Sequence, residues 1–245
     1  MTPPRRPRGL FTDLTEGVYW FLVTDVLLVL AVAPTLVLWT VTAPSALSSL
    51  LFVVAALPLL PALSAGLYAC RAWREEQELV PARHFLRGYR LNALESLAVG
   101  VPPLLVLALA TFNLGRPAAG GFGVGTIAFL VVGAAAMLML VRALSIVSRF
   151  PFRLRDVHRL AAFTLLTKPL STLALLSLGV LTLGGALLIG EFLLLVTASL
   201  LVYALWVSER PVAEMLEEQF VAPAVSPEQP GEDAPAAAPH HLEGS

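Results

Sequence analysis

Six long apolar runs dominate this chain of 245 residues. They cover about residues 18–41, 46–72, 92–112, 122–148, 169–188 and 192–208. A helix of about 20 residues crosses the ~30 Å hydrocarbon core of a bilayer, because each residue adds about 1.5 Å along the axis. Charged residues make up 13% of the chain, about half of the share that a water-soluble domain carries. We therefore predict an all-α polytopic membrane protein, a six-helix transmembrane bundle with cytoplasmic amphipathic segments.

Polar, proline-rich stretches flank the apolar part of the chain. The N-terminal sequence reads MTPPRRPRG, and the C-terminal sequence is rich in proline, alanine and acidic side chains. Such compositions bury too little apolar surface to fold. The sequence predicts a disordered basic arm over 1–16, a membrane domain over 17–208, a short cytoplasmic segment over 209–220 and a disordered tail over 221–245.

The basic residues predict the orientation of the bundle. Fifteen of the 16 Lys and Arg residues lie in the N-terminal arm, around the second and fourth connections, or after the last apolar run, and Arg116 is the exception. Cytoplasmic connections of membrane proteins are enriched in Lys and Arg. Both termini and the two arginine-rich connections are therefore predicted to be cytoplasmic.

These two connections also combine arginine with apolar residues, as amphipathic helices do. Helical spacing over 82–95 puts Arg83, Arg87 and Arg90 on one face. The fourth connection carries Arg153, Arg155 and Arg159. Such arginines attract anionic lipid headgroups by roughly 1 kcal/mol each, and the same surface would suit a membrane or cytoplasmic protein partner. The sequence leaves both interpretations open.

Two charged side chains fall inside apolar runs, where an aspartate or arginine costs about 2.5–3.5 kcal/mol on insertion. Asp25 lies inside the first run and Arg142 inside the fourth, both roughly 9–11 Å from the arginine-rich side by helical rise. Their equal depth makes an ion pair between them one hypothesis. In the alternative, Arg142 reaches the headgroups alone or pairs with Glu95. Asp25 would then be hydrated or capped by Thr24.

Prolines interrupt three of the predicted spans and raise a second functional hypothesis. They are Pro34, Pro58, Pro61, Pro102 and Pro103. Each proline frees a backbone carbonyl one turn earlier, and transporters use such broken helices to bind a substrate near the midplane. Kinked helices packed without a ligand are the alternative, which the aliphatic surroundings favour.

The residue types give no pattern for catalysis, metal binding or nucleic-acid binding. Cys70 is the only cysteine, the four histidines lack ligand spacing, and the formal net charge is −1. No nucleophile lies at a spacing that would pair it with a histidine. The chain is predicted to be non-enzymatic, without a cofactor, a bound metal or a nucleic-acid partner.

The segment over 61–97, PALSAGLYACRAWREEQELVPARHFLRGYRLNALESL, resembles the YesL-like bacterial integral membrane proteins, a domain family of unknown function. The family pattern is Phe-x-x-Gly-[Phe/Tyr]-[Arg/Lys]-x-Asn, and the matching residues are Phe85, Gly88, Tyr89, Arg90 and Asn92. A second stretch over 148–176 is also similar, and the resemblance extends over about 17–208. Asp25 departs from it, because the family often has asparagine there.

This resemblance implies a location and a role. Members of the family are often encoded beside carbohydrate-uptake and polysaccharide-utilisation genes. It implies a multi-pass protein of a bacterial plasma membrane, with an auxiliary role in carbohydrate uptake or utilisation. The alternative function is a small-solute secondary transporter with its site among the proline-broken helices.

Overall fold

Helices make up nearly all of the chain that the structure, a computed structural model, describes. The described residues are 10–41, 51, 54–76, 79–114, 123–150 and 152–221. The helices are α1 (Leu10–Val41), α2 (Leu59–Glu76), α3 (Pro81–Leu114), α4 (Val124–Val147), α5 (Leu154–Thr167), α6 (Pro169–Leu188) and α7 (Glu191–Leu216), followed by a π-helical turn, Glu217–Val221. No strand occurs in these ranges, so the all-α prediction is confirmed.

Four of the helices are long and apolar enough to cross a bilayer. They are the stretch Leu14–Thr40 of α1 and the whole of α3, α4 and α6. This finding supports the membrane class that the composition predicts. The second and sixth predicted spans, over 46–72 and 192–208, stay predictions, and residues 46–50 and 52–53 lie outside the described part.

Helix ends differ from the apolar boundaries in three places. Helix α1 begins at Leu10, so residues 10–16 of the predicted arm are helical, whereas 1–9 lie outside the described residues, as do 222–245. Helix α7 continues past the end of the last apolar run to Leu216, into the predicted post-membrane segment. The helix predicted over 82–95 is the first part of α3 and not a separate element. Apolar composition marks contact with lipid, whereas a helix continues until a cap or breaker ends it.

By its contacts the chain divides after Ala213. The unit through Ala213 contains α1 to α6 and most of α7. In the second unit, the described residues 214–221 are helical.

Helices α2 and α3 pack closely because glycines lie at their contacts. A Cβ atom built on Gly88 would lie 2.8 Å from Cβ of Tyr68, and one built on Gly100 would lie 2.5 Å from Cδ1 of Leu60. Residue numbers rise along α3 as they fall along α2 at these two contacts, so the helices run antiparallel. Small residues at such contacts let helix backbones approach within lipid, where no hydrophobic force drives helices together.

Gly88→Ala is expected to destabilise the protein by about 1–3 kcal/mol, because the new methyl group would overlap the side chain of Tyr68 near its backbone. Thermal unfolding in a mild detergent measures this loss. Gly179→Ala is the matched control, since a Cβ on Gly179 meets nothing within 4 Å. Equal melting temperatures for the two variants would contradict the close contact between α2 and α3.

Candidate functional site

A buried ion pair connects α4 with α7. Arg142 is 0% exposed although it lies in an apolar helix, and its Nε atom is 3.5 Å from Oε2 of Glu209, which is 1% exposed. Neither of these two atoms makes a hydrogen bond within the described part of the chain. The attraction between Arg142 and Glu209 is therefore coulombic rather than a directed hydrogen bond, and it is strong because water is excluded.

Hydroxyl groups on α6 complete the surroundings of the guanidinium. Arg142 donates through Nη1 to Oγ of Ser171 and through Nη2 to Oγ1 of Thr172, both at 3.2 Å. Ser171 in turn donates to the backbone carbonyl of Ser208 at 2.7 Å, and its Oγ lies 3.4 Å from Oε1 of Glu209. Residues from α4, α6 and α7 thus form one polar network, which we call the buried charge network.

Other hydroxyls extend this network. The side chain of Ser145, one turn after Arg142 on α4, hydrogen-bonds to Glu209. Thr172 donates to the backbone carbonyl of Leu165, which connects the start of α6 to the end of α5. A charged pair buried in this way stabilises a fold only while both partners are present, because removing one strands the other.

The structure corrects the predicted ion pair between Asp25 and Arg142. Arg142 meets Glu209, whereas Oδ1 of Asp25 accepts a hydrogen bond at 2.9 Å from the backbone N–H of Ser199 on α7. Thr24 is buried, its hydroxyl has no hydrogen-bond partner among the described residues, and Glu95 is exposed. The equal depth of the two residues stays a prediction, and depth does not determine which faces of two helices meet.

The residues that match the family pattern lie mainly at the contact between α2 and α3. Phe85 is buried in the core, Gly88 lies against Tyr68, and the ring of Tyr89 lies 6.4 Å from that of Phe85. Asn92 is half-buried, and its Nδ2 atom has no hydrogen-bond partner among the described residues. Arg90 is exposed. These positions therefore serve helix packing, except for Arg90.

All six of the predicted surface arginines are exposed. The exposed side chains are Arg83, Arg87 and Arg90 on α3, and Arg153, Arg155 and Arg159 at or near the start of α5. The opposite face of α5 is buried through Val157, Ala161 and Thr164. Both arginine groups thus lie on amphipathic helical segments, with their guanidinium groups directed away from the core.

The histidines near these arginines have structural contacts. Nε2 of His158 hydrogen-bonds to the carbonyl of Val99 at 3.0 Å, the carbonyl that Pro103 leaves without its helical donor. Nδ1 of His84 lies 3.7 Å from a carboxylate oxygen of Glu76. Within the described ranges, no group of three His, Cys, Asp or Glu side chains could hold a metal ion.

Comparisons with known proteins found no match to a family model, a curated protein or a solved structure. The resemblance to the YesL-like proteins therefore stays a prediction.

Sequence reasoning missed Glu209, Ser171 and Thr172 as partners of Arg142. Glu209 follows the last apolar run directly, and the sequence predicts that it belongs to a separate cytoplasmic segment over 209–220. The available signal is the absence of glycine and proline over 191–209, which lets the helix continue through Glu209. A carboxylate one residue beyond an apolar run can therefore still face the other helices. The two hydroxyls follow Pro169 at the start of α6, where Pro at the first turn predicts a helix start.

Arg142→Met and Glu209→Gln should each destabilise the protein, by about 3–5 kcal/mol for the arginine change, because Glu209 would stay buried without its ionic partner. The double variant should be milder than the sum of the single changes by at least about 1 kcal/mol. Chemical or thermal unfolding of the four proteins in detergent measures this coupling.

The matched comparison combines Asp25→Asn with Arg142→Met. These two changes should add within about 0.5 kcal/mol, because the two residues have different partners. Additive effects for Arg142 and Glu209 together with coupled effects for Asp25 and Arg142 would overturn the arrangement described here.

Asp25→Asn should cost little stability, because the amide oxygen can still accept the hydrogen bond from Ser199. Asp25→Leu should cost about 1–3 kcal/mol, since the N–H of Ser199 would lose this acceptor. Melting temperatures of the two variants test this difference. Equal losses for asparagine and leucine would show that the negative charge, which both changes remove, matters more than the hydrogen bond.

Proposed function

We propose that this chain is a non-enzymatic auxiliary integral membrane protein that docks another protein on its arginine-rich side. The observation that carries the proposal is the set of exposed arginines on α3 and α5, whose supporting helices are buried on their other faces. A rigid helix with outward arginines suits a protein interface, where arginine is enriched. Anionic headgroups remain the other natural partner of these side chains.

The packing between the proline-containing helices favours this proposal over transport. Leu60, Leu104 and Leu140 belong to one aliphatic cluster in which α2, α3 and α4 meet. Pro61 and Pro103 are themselves buried. A carrier needs a polar cavity near the midplane, whereas these contacts fill the space beside the prolines with side chains.

The membrane arrangement belongs to the same proposal. Six spans, with both termini and the arginine-rich segments in the cytoplasm, would put the docking side where cytoplasmic partners reach it. The contact of Asp25 with Ser199 supports a sixth span, because it packs α7 beside a helix apolar enough to cross the bilayer. A bacterial plasma membrane and a link to carbohydrate uptake or utilisation follow from the resemblance alone.

A small-solute secondary transporter is the second candidate. Ser64 on α2 and Ser96 on α3 favour it, because both are buried with hydroxyls that lack a hydrogen-bond partner in the described part of the chain. Replacing both with alanine would remove these polar groups from a substrate path. Solute uptake that is lost in the double variant, while partner capture persists, would support transport instead of docking.

The docking proposal is tested by crosslinking in native membranes, followed by purification and mass spectrometry. Simultaneous replacement of Arg83, Arg87 and Arg90 by glutamine should lower recovery of the specific partner by roughly tenfold, since a docking arginine commonly contributes more than 1 kcal/mol. In the reciprocal experiment the tag is on the partner, and recovery of this chain then shows that the interaction is specific.

The control replaces the same three residues by lysine. Lysine keeps the attraction to anionic lipid but loses the bidentate geometry of the guanidinium, so a protein partner should still be weakened. Unchanged recovery with the glutamine variant would contradict docking through this face.

A further inference from the structure

Aromatic rings connect the first half of α1 to the last turn of α2 and the middle of α7. Trp20 stacks on Trp73 with 4.6 Å between ring centroids, and Tyr203 stacks on Trp206 at 5.8 Å. Trp73 and Tyr203 meet edge to face at 6.3 Å, which joins the two stacks. Because Trp20 and Trp206 are buried, the rings form a firm platform within the fold.

Arg74 lies on one side of this platform. Its Cζ atom is 5.3 Å from the ring centroid of Trp73 and 5.5 Å from that of Tyr203, and its guanidinium donates a hydrogen bond to the hydroxyl of Tyr203. The side chain is exposed. Stacking through the flat face of a guanidinium leaves its in-plane N–H groups directed outward.

Two more arginines lie over the other end of the platform. The Cζ atoms of Arg149 and Arg210 are 5.8 Å and 5.3 Å from the ring centroid of Trp206. Arg71 joins them by donating to the backbone carbonyl of Arg149 at 3.3 Å. Guanidinium groups from α2, from the residues after α4, and from α7 therefore converge on one aromatic surface.

We infer that this surface binds the phosphodiester headgroup of an anionic phospholipid. The arginine–aromatic cluster is defined as Arg71, Arg74, Arg149 and Arg210 together with Trp73, Tyr203 and Trp206. Trp and Tyr collect at the headgroup level of membrane proteins, and a guanidinium fork matches two phosphate oxygens. The inference depends on the membrane character of the chain and not on the docking proposed above.

The indole of Trp206 supplies an independent observation. The residue is 6% exposed, and its Nε1 has no hydrogen-bond partner among the described residues. An indole N–H normally finds an acceptor when it is buried. A headgroup oxygen held between the neighbouring guanidinium groups is an acceptor of the right chemistry.

Two carboxylates near the cluster face arginines, and one of these arginines belongs to the cluster. Glu75 accepts a hydrogen bond from Nε of Arg71 at 2.8 Å, and Glu209 faces Arg142. Arg74 makes no ion pair among the described residues, so its charge stays available at the surface. Arg83 and Arg87 are also exposed, but they lie along a helix face of α3 and provide a matched control for general attraction.

Native mass spectrometry of the full chain in a neutral detergent tests the inference, with phosphatidylglycerol and phosphatidylcholine as the two probes. The unchanged protein should bind phosphatidylglycerol at least roughly tenfold more tightly than phosphatidylcholine. Arg74→Gln combined with Arg210→Gln should lower the affinity for phosphatidylglycerol by about fivefold per arginine. Arg83→Gln combined with Arg87→Gln should lower it by a smaller factor than the Arg74 and Arg210 pair, because these two arginines attract the headgroup through charge alone.

Three outcomes would overturn the inference. The first is equal binding of the two lipids, and the second is an equal loss of phosphatidylglycerol affinity in the Arg83 and Arg87 control. The third is displacement of phosphatidylglycerol by inorganic phosphate at equal concentration, which would identify a site for a free anion. If the glutamine pair fails to fold, Arg74→Lys combined with Arg210→Lys replaces it. This pair keeps the charge but loses the stacking and the fork, so an unchanged lipid affinity would also contradict the site.

Discussion

The buried guanidinium of Arg142 is the constraint on which the arrangement of the later helices depends. An arginine inside an apolar helix is stable only when other parts of the chain bring it oxygen atoms, because the hydrocarbon of a bilayer supplies none. Ser171 and Thr172 do so from α6, and Glu209 does so from α7. The network consequently fixes α4, α6 and α7 against one another, and Asp25 connects α1 to α7 through Ser199.

Glycines and aromatic rings determine the rest of the packing. Gly88 and Gly100 allow the close approach of α2 and α3, and this approach leaves the space beside Pro61 and Pro103 filled. The aromatic platform joins α1, α2 and α7 and holds arginines at one end of the bundle. Packed side chains fill the space beside these prolines, and arginines lie at one end of the helices. The proposed protein docking and the proposed lipid binding both occur at that end.

The sequence predicted the membrane class and four of the spans, because the length of an apolar run is set by the thickness of the bilayer. It misplaced the ends of α1 and α7, since helical hydrogen bonding continues into polar sequence such as that around Leu10 and Glu209. For Arg142 it predicted the wrong partner. A partner depends on how each helix is rotated and packed, which neither depth nor local composition encodes.

The central claim is that α4 crosses a bilayer with Arg142 inside it and that the arginines stay on one side. Labelling of single cysteines with a membrane-impermeant maleimide tests this claim, in a Cys70→Ala background that carries either Val124→Cys, at the first residue of α4, or Arg153→Cys, between α4 and α5; both positions are exposed. We expect label at position 124 in intact cells and at position 153 only after permeabilisation. Label at both positions in intact cells, or at neither, would contradict the account.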